Sequence, residues 1–327
     1  MNGKYTIEVS NKKVTYRLEI KRNITIIQGD SGTGKTTLFR MINEYNRYGN
    51  SSGISLVCDK ECIALTELNW QNYLSNAEEK IIFIDEDSKY IHTRDFSKLV
   101  NYSDNYFVLI TRDSLPHLAY SINEIYGIRE NRESQKYIEA KHVYNELFKL
   151  YNLNNIEKIV PTKVITEDSN SGYECFHKIF GDIVKYAGGK SLVTCKINDV
   201  ADNNDEILAI VDGAAFGADI QEFLRNAKRL FCKCVLYAPE SFEYIILKSE
   251  IIEVKKDILE NTFNYADSKL YASWEQFFTA KLVEITNETI YKYNKHKLNE
   301  IYTTTGNIDK IKKQLPPLID YDKELKK

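Results

Sequence analysis

The sequence predicts an α/β fold in which two units, each built on a parallel sheet, are followed by a helical C-terminal region. Short apolar runs typical of buried strands alternate with segments of helical periodicity along most of the chain, which is the pattern of layered α/β proteins. Several of these runs end in glycine or acidic residues, as strands do at the edge of a parallel sheet. The 327 residues suffice for two ordinary domains, and an apolar fraction of 43% is that of a folded protein.

The chain opens with strands that lead into a glycine-rich loop. Alternation of apolar and polar residues over 4–20 predicts two strands, separated by a turn at 10–13. The run 24–27 predicts a short buried strand that stops before Gly29. Helical spacing after the loop predicts a helix whose buried face carries Leu38, Met41, Ile42 and Tyr45.

Further elements complete the first unit, which we expect to span residues 1–130. Strands are predicted near 54–57, 81–84, 106–110 and 124–128, with helices around 69–78 and 94–101. A helical connector is expected at 131–160. Within it, segment 136–152 predicts one amphipathic helix, with an apolar face formed by Ala140, Val143, Leu147, Leu150 and Tyr151.

A second α/β unit is expected at 161–255. Its strands are predicted near 163–166, 192–197, 207–211 and 233–237. Residues 256–327 are predicted to be helical and to end in a lysine-rich tail.

The loop Gly-Asp-Ser-Gly-Thr-Gly-Lys-Thr at 29–36 has the composition of a phosphate-binding loop. Glycines allow the backbone N–H groups to wrap a phosphate, and the following helix adds the positive end of its dipole. Lys35 is expected to reach the β- and γ-phosphates, and Thr36 to bind Mg²⁺; the alternative is a chance glycine-rich turn. The expected nucleotide-binding residues are Gly29, Asp30, Ser31, Gly32, Thr33, Gly34, Lys35, Thr36 and Thr37.

Acidic residues follow a second apolar strand, where a nucleotide site needs them. Asp85 and Glu86 come directly after the run 81–84. Asp85 is expected to hold Mg²⁺, and Glu86 to orient or deprotonate the attacking water; taken alone, the pair is also compatible with a solvated strand end. Thr111 ends the run 106–110 and is the candidate sensor of the γ-phosphate, followed by Arg112, which is either a phosphate contact or a surface charge.

These motifs resemble those of the P-loop NTPase superfamily in its additional-glutamate branch, which includes ABC- and AAA-like ATPases. The resemblance covers residues 1–130 and implies ATP and Mg²⁺ as cofactors, catalytic roles for Lys35, Glu86 and Thr111, and a strand 106–110 lying between the other two. About fifty residues separate the two motifs, which leaves little room for the helical arm that carries the ABC signature. No guanine-reading Asn-Lys-x-Asp or Thr-Lys-x-Asp motif is found, so ATP is favoured over GTP.

The second unit places acidic residues after three of its predicted strands. Glu167 and Asp168 end the strand near 163–166, and Asp212 ends that near 207–211. Glu240 and Glu243 lie beyond the strand near 233–237. The carboxyl ends of parallel strands meet at one edge of a sheet. Clustered carboxylates repel one another, so their convergence indicates a divalent cation.

This order resembles a TOPRIM domain, and the resemblance covers residues 160–250. It implies metal ligands at Glu167 and Asp212 and a glycine at Gly217, but Ala214 stands where the family has a second Asp, so the domain is degenerate. The alternative is a TOPRIM-derived domain with no active metal. An ATPase followed by a TOPRIM domain is the arrangement of OLD-family nucleases, including those of phage-defence systems.

Composition excludes several classes of protein. The net charge of −3 gives no general cationic field, so contact with nucleic acid would need a local patch. The N-terminus does not resemble a signal peptide, and no run of about 18 apolar residues predicts a membrane span. The six cysteines lack the CxxC pairs of a zinc site. We therefore expect a cytoplasmic protein with reduced thiols. The motifs and the resemblance to P-loop ATPases imply that it binds ATP, works on nucleic acid or on a partner protein, and can form a homodimer.

Three functions are compatible with these motifs. The first is an ATPase that controls a nuclease-like second unit acting on nucleic acid. The second is a regulatory ATPase whose C-terminal unit is catalytically inactive and binds a partner protein. The third is a small-molecule kinase.

Overall fold

The computed structural model describes residues 1–30, 32–66, 69–131, 142–151, 158–317 and 319. The chain forms two compact units. The first combines Met1–Tyr151 with Asn261–Ser273, and the second combines Asn152–Glu260 with Trp274–Lys327. Residues 261–273 thus belong to the first unit, although they lie inside the C-terminal region that was expected to be separate. Among the described residues, no helix is both long enough and apolar enough to cross a membrane.

A mixed sheet of nine strands forms the centre of the first unit, in the order β4-β1-β2-β9-β8-β3-β7-β6-β5. From β8 to β5 all neighbouring strands are parallel, whereas β1 pairs antiparallel with β2 and β4, and β8 with β9. Its strands are β1 (Tyr5–Ser10), β2 (Val14–Ile20), β3 (Ile24–Ile27), β4 (Ser55–Val57), β5 (Cys62–Ala64), β6 (Ile81–Ile84), β7 (Tyr106–Ile110), β8 (Ile125–Glu130) and β9 (Val143–Lys149).

The central parallel strands are apolar runs, interrupted only by Thr25 in β3, because both of their faces are covered. Every residue of β3, β6 and β7 is buried. The helices of this unit are α1 (Lys35–Tyr48), α2 (Trp70–Asn76) and α3 (Arg94–Val100), and α1 begins directly after the glycine loop. Strand β7 lies between β3 and β6, which is the position that the resemblance to P-loop ATPases implies.

The first sheet must be strongly curled, because its two edge strands are close neighbours in sequence. Strands β4 and β5 occupy opposite edges of the sheet. Nine flat strands would span roughly 38 Å. The connection from Val57 to Cys62 reaches at most about 18 Å. The short segment between them therefore lies at a seam where the two edges approach each other.

A smaller sheet, entirely parallel and ordered β11-β10-β12-β13, forms the centre of the second unit. Its strands are β10 (Lys163–Thr166), β11 (Val184–Tyr186), β12 (Glu206–Ile210) and β13 (Lys233–Tyr237). The helices are α4 (Ser171–Phe180), α5 (Val193–Val200), α6 (Ile220–Ala227), α7 (Phe242–Lys248), α8 (Lys256–Glu260), α9 (Trp274–Thr286) and α10 (Thr305–Lys312). The predicted α/β class is confirmed for the chain.

Two element predictions are wrong. The predicted connector helix over 136–152 contains strand β9, while its residues 136–141 and 152 lie outside the described part of the chain. Strand β9 pairs with both β8 and β2, and those hydrogen bonds outweigh the local helical pattern. The predicted strand at 192–197 is instead the start of α5, which buries Val193 and Ile197, one helical turn apart.

Candidate functional site

The glycine loop between β3 and α1 is wrapped around the ammonium group of Lys35. That side chain is only 4% exposed. Its Nζ donates hydrogen bonds to the carbonyl oxygens of Gly29 and Asp30 at 2.7 and 2.8 Å, and to Oγ1 of Thr33 at 3.1 Å. An ammonium has three donors, and the loop engages all of them. Burial lowers the pKa of Lys35, whereas the charge of Glu86 raises it.

The loop backbone follows a path that only glycine adopts without strain. Gly29, Gly32 and Gly34 have φ values of +137°, +84° and +92°. Gly34 precedes α1, and its carbonyl accepts hydrogen bonds from the amide of Leu38 and the hydroxyl of Tyr16, both at 2.9 Å. The loop is therefore fixed at the end that leads into the helix.

We expect Gly34→Ala to destabilise the first unit by about 1–3 kcal/mol. A Cβ atom at Gly34 would lie 2.6 Å from the Tyr16 hydroxyl oxygen, and Tyr16 is 2% exposed, so it has little room to move. Urea unfolding followed by Trp70 fluorescence, in a Trp274→Phe background, measures the change.

The matched control for this substitution is Gly306→Ala in α10. No heavy atom lies within 4 Å of its added Cβ. We expect no loss of stability there. Equal unfolding midpoints for Gly34→Ala and the parent protein would contradict the strain argument.

Asp85 lies at the carboxyl end of β6, beside the loop. It is 7% exposed, and its Oδ1 accepts a hydrogen bond of 2.9 Å from the Glu86 amide. Burial raises the pKa of Asp85, and the Lys35 charge acts in the opposite direction. Lys35 and Asp85 therefore belong to one electrostatic cluster, as a nucleotide site requires.

Glu86 and Thr111 are held by neighbours from the tip of β7. Arg112 forms an ion pair with Glu86, with Nε–Oε2 and Nη2–Oε1 distances of 3.0 and 3.3 Å. The Thr111 hydroxyl donates to the carbonyl of Asp113 at 3.2 Å and accepts from its amide at 3.1 Å. The sequence left two roles open for Arg112, and the structure shows it orienting the carboxylate predicted to act on water.

The remaining predicted nucleotide ligands lie on the same loop and helix. Thr36 is exposed in the first turn of α1, and Thr37 is half-buried next to it. Oxygen donors suit Mg²⁺, so Thr36 and Asp85 are chemically suited to hold it together. Ser31 lies outside the described residues.

In the second unit, four carboxylates from the ends of three strands line one small cavity of about 40 Å³, as their positions in the sequence predicted. They are Glu167, Asp168, Asp212 and Glu243. The Asp212 amide donates to Oε2 of Glu167 at 3.4 Å, and Oδ1 of Asp212 accepts a hydrogen bond of 3.1 Å from the amide of Phe242.

Residues far away in the sequence complete this cluster, and sequence reasoning missed them. Burial is the largest cause of the raised pKa of Asp212, and the charge of Glu275 in α9 is the next largest. Glu275 also forms an ion pair of 2.6 Å with Lys295. Tyr293, which also lines the cavity, donates a hydrogen bond of 2.9 Å to Glu243. Lys295 and Tyr293 lie within 256–327, which the sequence predicts to be helical. Segment 291–297 is not helical, and Tyr293 is buried.

The metal ligands implied by the TOPRIM resemblance are only partly present. Ala214 is buried where the family has its second Asp. In the part of the chain that the structure describes, no three His, Cys, Asp or Glu side chains are arranged to hold a metal ion. Lys295 already offsets part of the negative charge here.

The carboxylate cluster predicts an unusual dependence of stability on pH. Burial and the charge of Glu275 raise the pKa of Glu167 to about 7, compared with ~4.3 in an unfolded chain. The folded state binds this proton more tightly. The stability that protonation of Glu167 contributes is complete below pH ~4.3 and is lost as the pH rises through about 7.

We expect Glu167→Gln, which stays uncharged, to be more stable than the parent at pH 8 by ~1–3 kcal/mol and similar to it near pH 5. Trp274 fluorescence in a Trp70→Phe background follows urea unfolding of this unit. Glu222→Gln, at an exposed position of α6, is the control and should show no such difference. Parallel pH profiles for Glu167→Gln and the parent would show that the ionisation of Glu167 does not affect the stability of this unit.

Comparisons with known proteins found no match to this chain. No protein-family model matches this sequence, and no significant similarity links it to a curated protein or to a solved structure.

Proposed function

We propose that the first unit binds a nucleoside triphosphate, ATP in preference to GTP, with Mg²⁺, and hydrolyses it. The observation that carries this proposal is the loop itself. The loop binds the Lys35 ammonium through its own carbonyl oxygens. The carboxylate of Asp85 lies beside it, at the carboxyl end of the parallel strand β6. Without a ligand these carbonyls stabilise the cation. An arriving phosphate competes for the same three donors and exchanges a neutral partner for an anionic one.

Each residue then has a defined task. Backbone N–H groups of the loop and the first turn of α1 bind phosphate oxygens, and Lys35 neutralises the β- and γ-phosphates. Mg²⁺, when bound through Thr36 and Asp85, supplies charge neutralisation for the phosphates. Glu86 accepts a proton from water. Arg112 keeps the Glu86 carboxylate oriented, and Thr111 ends the strand between the two motifs.

Equilibrium binding tests the proposal directly. We expect the full-length protein to bind a fluorescent ATP analogue when Mg²⁺ is present, to lose it to unlabelled ATP more readily than to GTP, and to release inorganic phosphate. Displacement by neither nucleotide would overturn the proposal. Binding without phosphate release would leave a nucleotide-binding protein that is not an ATPase.

The cluster of Glu167, Asp212 and Glu243 supports a second candidate activity, the metal-dependent cleavage of nucleic acid by the second unit. Such cleavage should require Mg²⁺ or Mn²⁺ and should disappear in Glu167→Ala and Asp212→Ala, tested on DNA and RNA. Cleavage that survives both substitutions, or none by the parent protein, favours instead a regulatory ATPase whose second unit binds a partner. Phosphate transfer to a metabolite rather than to water would indicate a kinase.

A further inference from the structure

Two of the six cysteines lie together at the seam of the first sheet. Cys58 follows edge strand β4, and Cys62 begins the opposite edge strand, β5. The segment between them therefore joins the two edges. Cys58 is half-buried, whereas Cys62 is 1% exposed.

Both sulfur atoms are turned towards the same residue between them. The Lys60 amide donates to Sγ of Cys58 at 3.5 Å, and Sγ of Cys62 donates to the Lys60 carbonyl oxygen at 3.6 Å. Each thiol also influences the ionisation of the other. The bend at Lys60 thus brings a half-buried sulfur and a buried one to the backbone of a single residue.

The two thiols have different chemical characters. The influence of the Cys62 side chain, followed by the hydrogen bond from the Lys60 amide, lowers the pKa of Cys58 to about 7. The same partnership and burial raise the pKa of Cys62. A partly accessible sulfur with thiolate character next to a resolving thiol is the arrangement of redox-sensitive cysteine pairs.

We propose that Cys58 and Cys62 form a reversible disulfide on exposure to a low-molecular-weight disulfide. The Cys58 thiolate attacks one sulfur of the oxidant and expels its other half as a thiolate, which leaves a mixed disulfide on Cys58. Cys62 then loses its proton to solvent and attacks the Cys58 sulfur, which releases the second thiolate. Two protein thiols are oxidised, and one disulfide is reduced to two thiols.

The bond would join the two edges of the sheet at a point that also touches helix α1. The side chain of Asn46, in α1, donates to the Cys62 carbonyl at 2.9 Å and accepts from the Ala64 amide at 2.8 Å. Oxidation therefore acts on β5. This strand is hydrogen-bonded to α1, the helix that follows the glycine loop.

Peptide mapping tests the proposal on the full-length protein, with oxidised glutathione as the probe. Trypsin cleaves after Lys60, between the two cysteines, so the disulfide would link peptides 48–60 and 61–80. We expect this linked pair after incubation at neutral pH and acid quenching with a maleimide, its loss on reduction, and a monomer on a non-reducing gel. The exposed Cys195 is the internal control and should stop at a glutathione adduct.

A variant separates the two steps. Cys62→Ala should accumulate a stable glutathione adduct on Cys58. The pH midpoint for alkylation of Cys58 by iodoacetamide should rise from about 7 towards the ~8.5 of an ordinary thiol. A stable adduct on Cys58 in the parent protein, or no linked peptides at all, would overturn the proposal, and the mapping decides the matter even where Cys62→Ala does not fold.

Discussion

Lys35→Ala is expected to abolish nucleotide-dependent hydrolysis, with a loss of at least ~10²–10³-fold in kcat/KM. The loop wraps this ammonium, and three oxygen atoms of the loop fix its position. Alanine removes the charge that faces the phosphates and leaves the Gly29 and Asp30 carbonyls without that donor. Release of inorganic phosphate from ATP, measured at saturating Mg²⁺, gives the size of the loss.

Loss of folding must be separated from loss of the site. Arg40→Ala changes an exposed cation on the same helix, whose ion pair with Glu44 is long at 3.9 Å, and should keep full activity. Thr36→Ala is a second test, because Thr36 is exposed and its removal leaves the core intact; we expect it to lose Mg²⁺-dependent turnover. Turnover by Lys35→Ala with a parent-like melting temperature would remove the enzymatic proposal for this unit.

The part of the fold that could be predicted from the sequence is the part encoded by neighbours in the chain. Strands β3, β6 and β7 are buried on both faces, so each is apolar apart from Thr25 in β3, and the polar residue that follows each strand marks the sheet edge. The glycine loop was recognisable for the same reason, since its backbone requirements fall on consecutive residues.

The features that could not be predicted depend on partners distant in sequence. Strand β9 has a locally helical pattern and becomes a strand only because β2 and β8 flank it. Glu275 and Lys295 join the carboxylate cluster of the second unit from a helix and a loop that carry no motif. Cys58 and Cys62 lack CxxC spacing. The strand order alone shows that the short segment between them joins opposite edges of one curled sheet.

Glu86→Gln is expected to separate nucleotide binding from hydrolysis. Glutamine keeps the size and an oxygen acceptor for Arg112 but cannot take a proton from water, so we expect kcat to fall by ~10²–10⁴ while ATP affinity stays within a few-fold of the parent. Glu86 is paired with Arg112, and although its charge acts on Lys35, the Lys35 ammonium is held by the carbonyl oxygens of Gly29 and Asp30. We therefore expect Glu86→Gln to leave the phosphate-binding loop in place.

The neighbouring Asp87, exposed one residue further along, provides the matched control, and Asp87→Asn should hydrolyse ATP like the parent. Single-turnover phosphate release combined with equilibrium binding of an ATP analogue distinguishes the two effects. Parallel losses of affinity and rate in Glu86→Gln would mean that the ion pair with Arg112 supports the loop and has no part in activating water. An unchanged rate would place the catalytic base elsewhere.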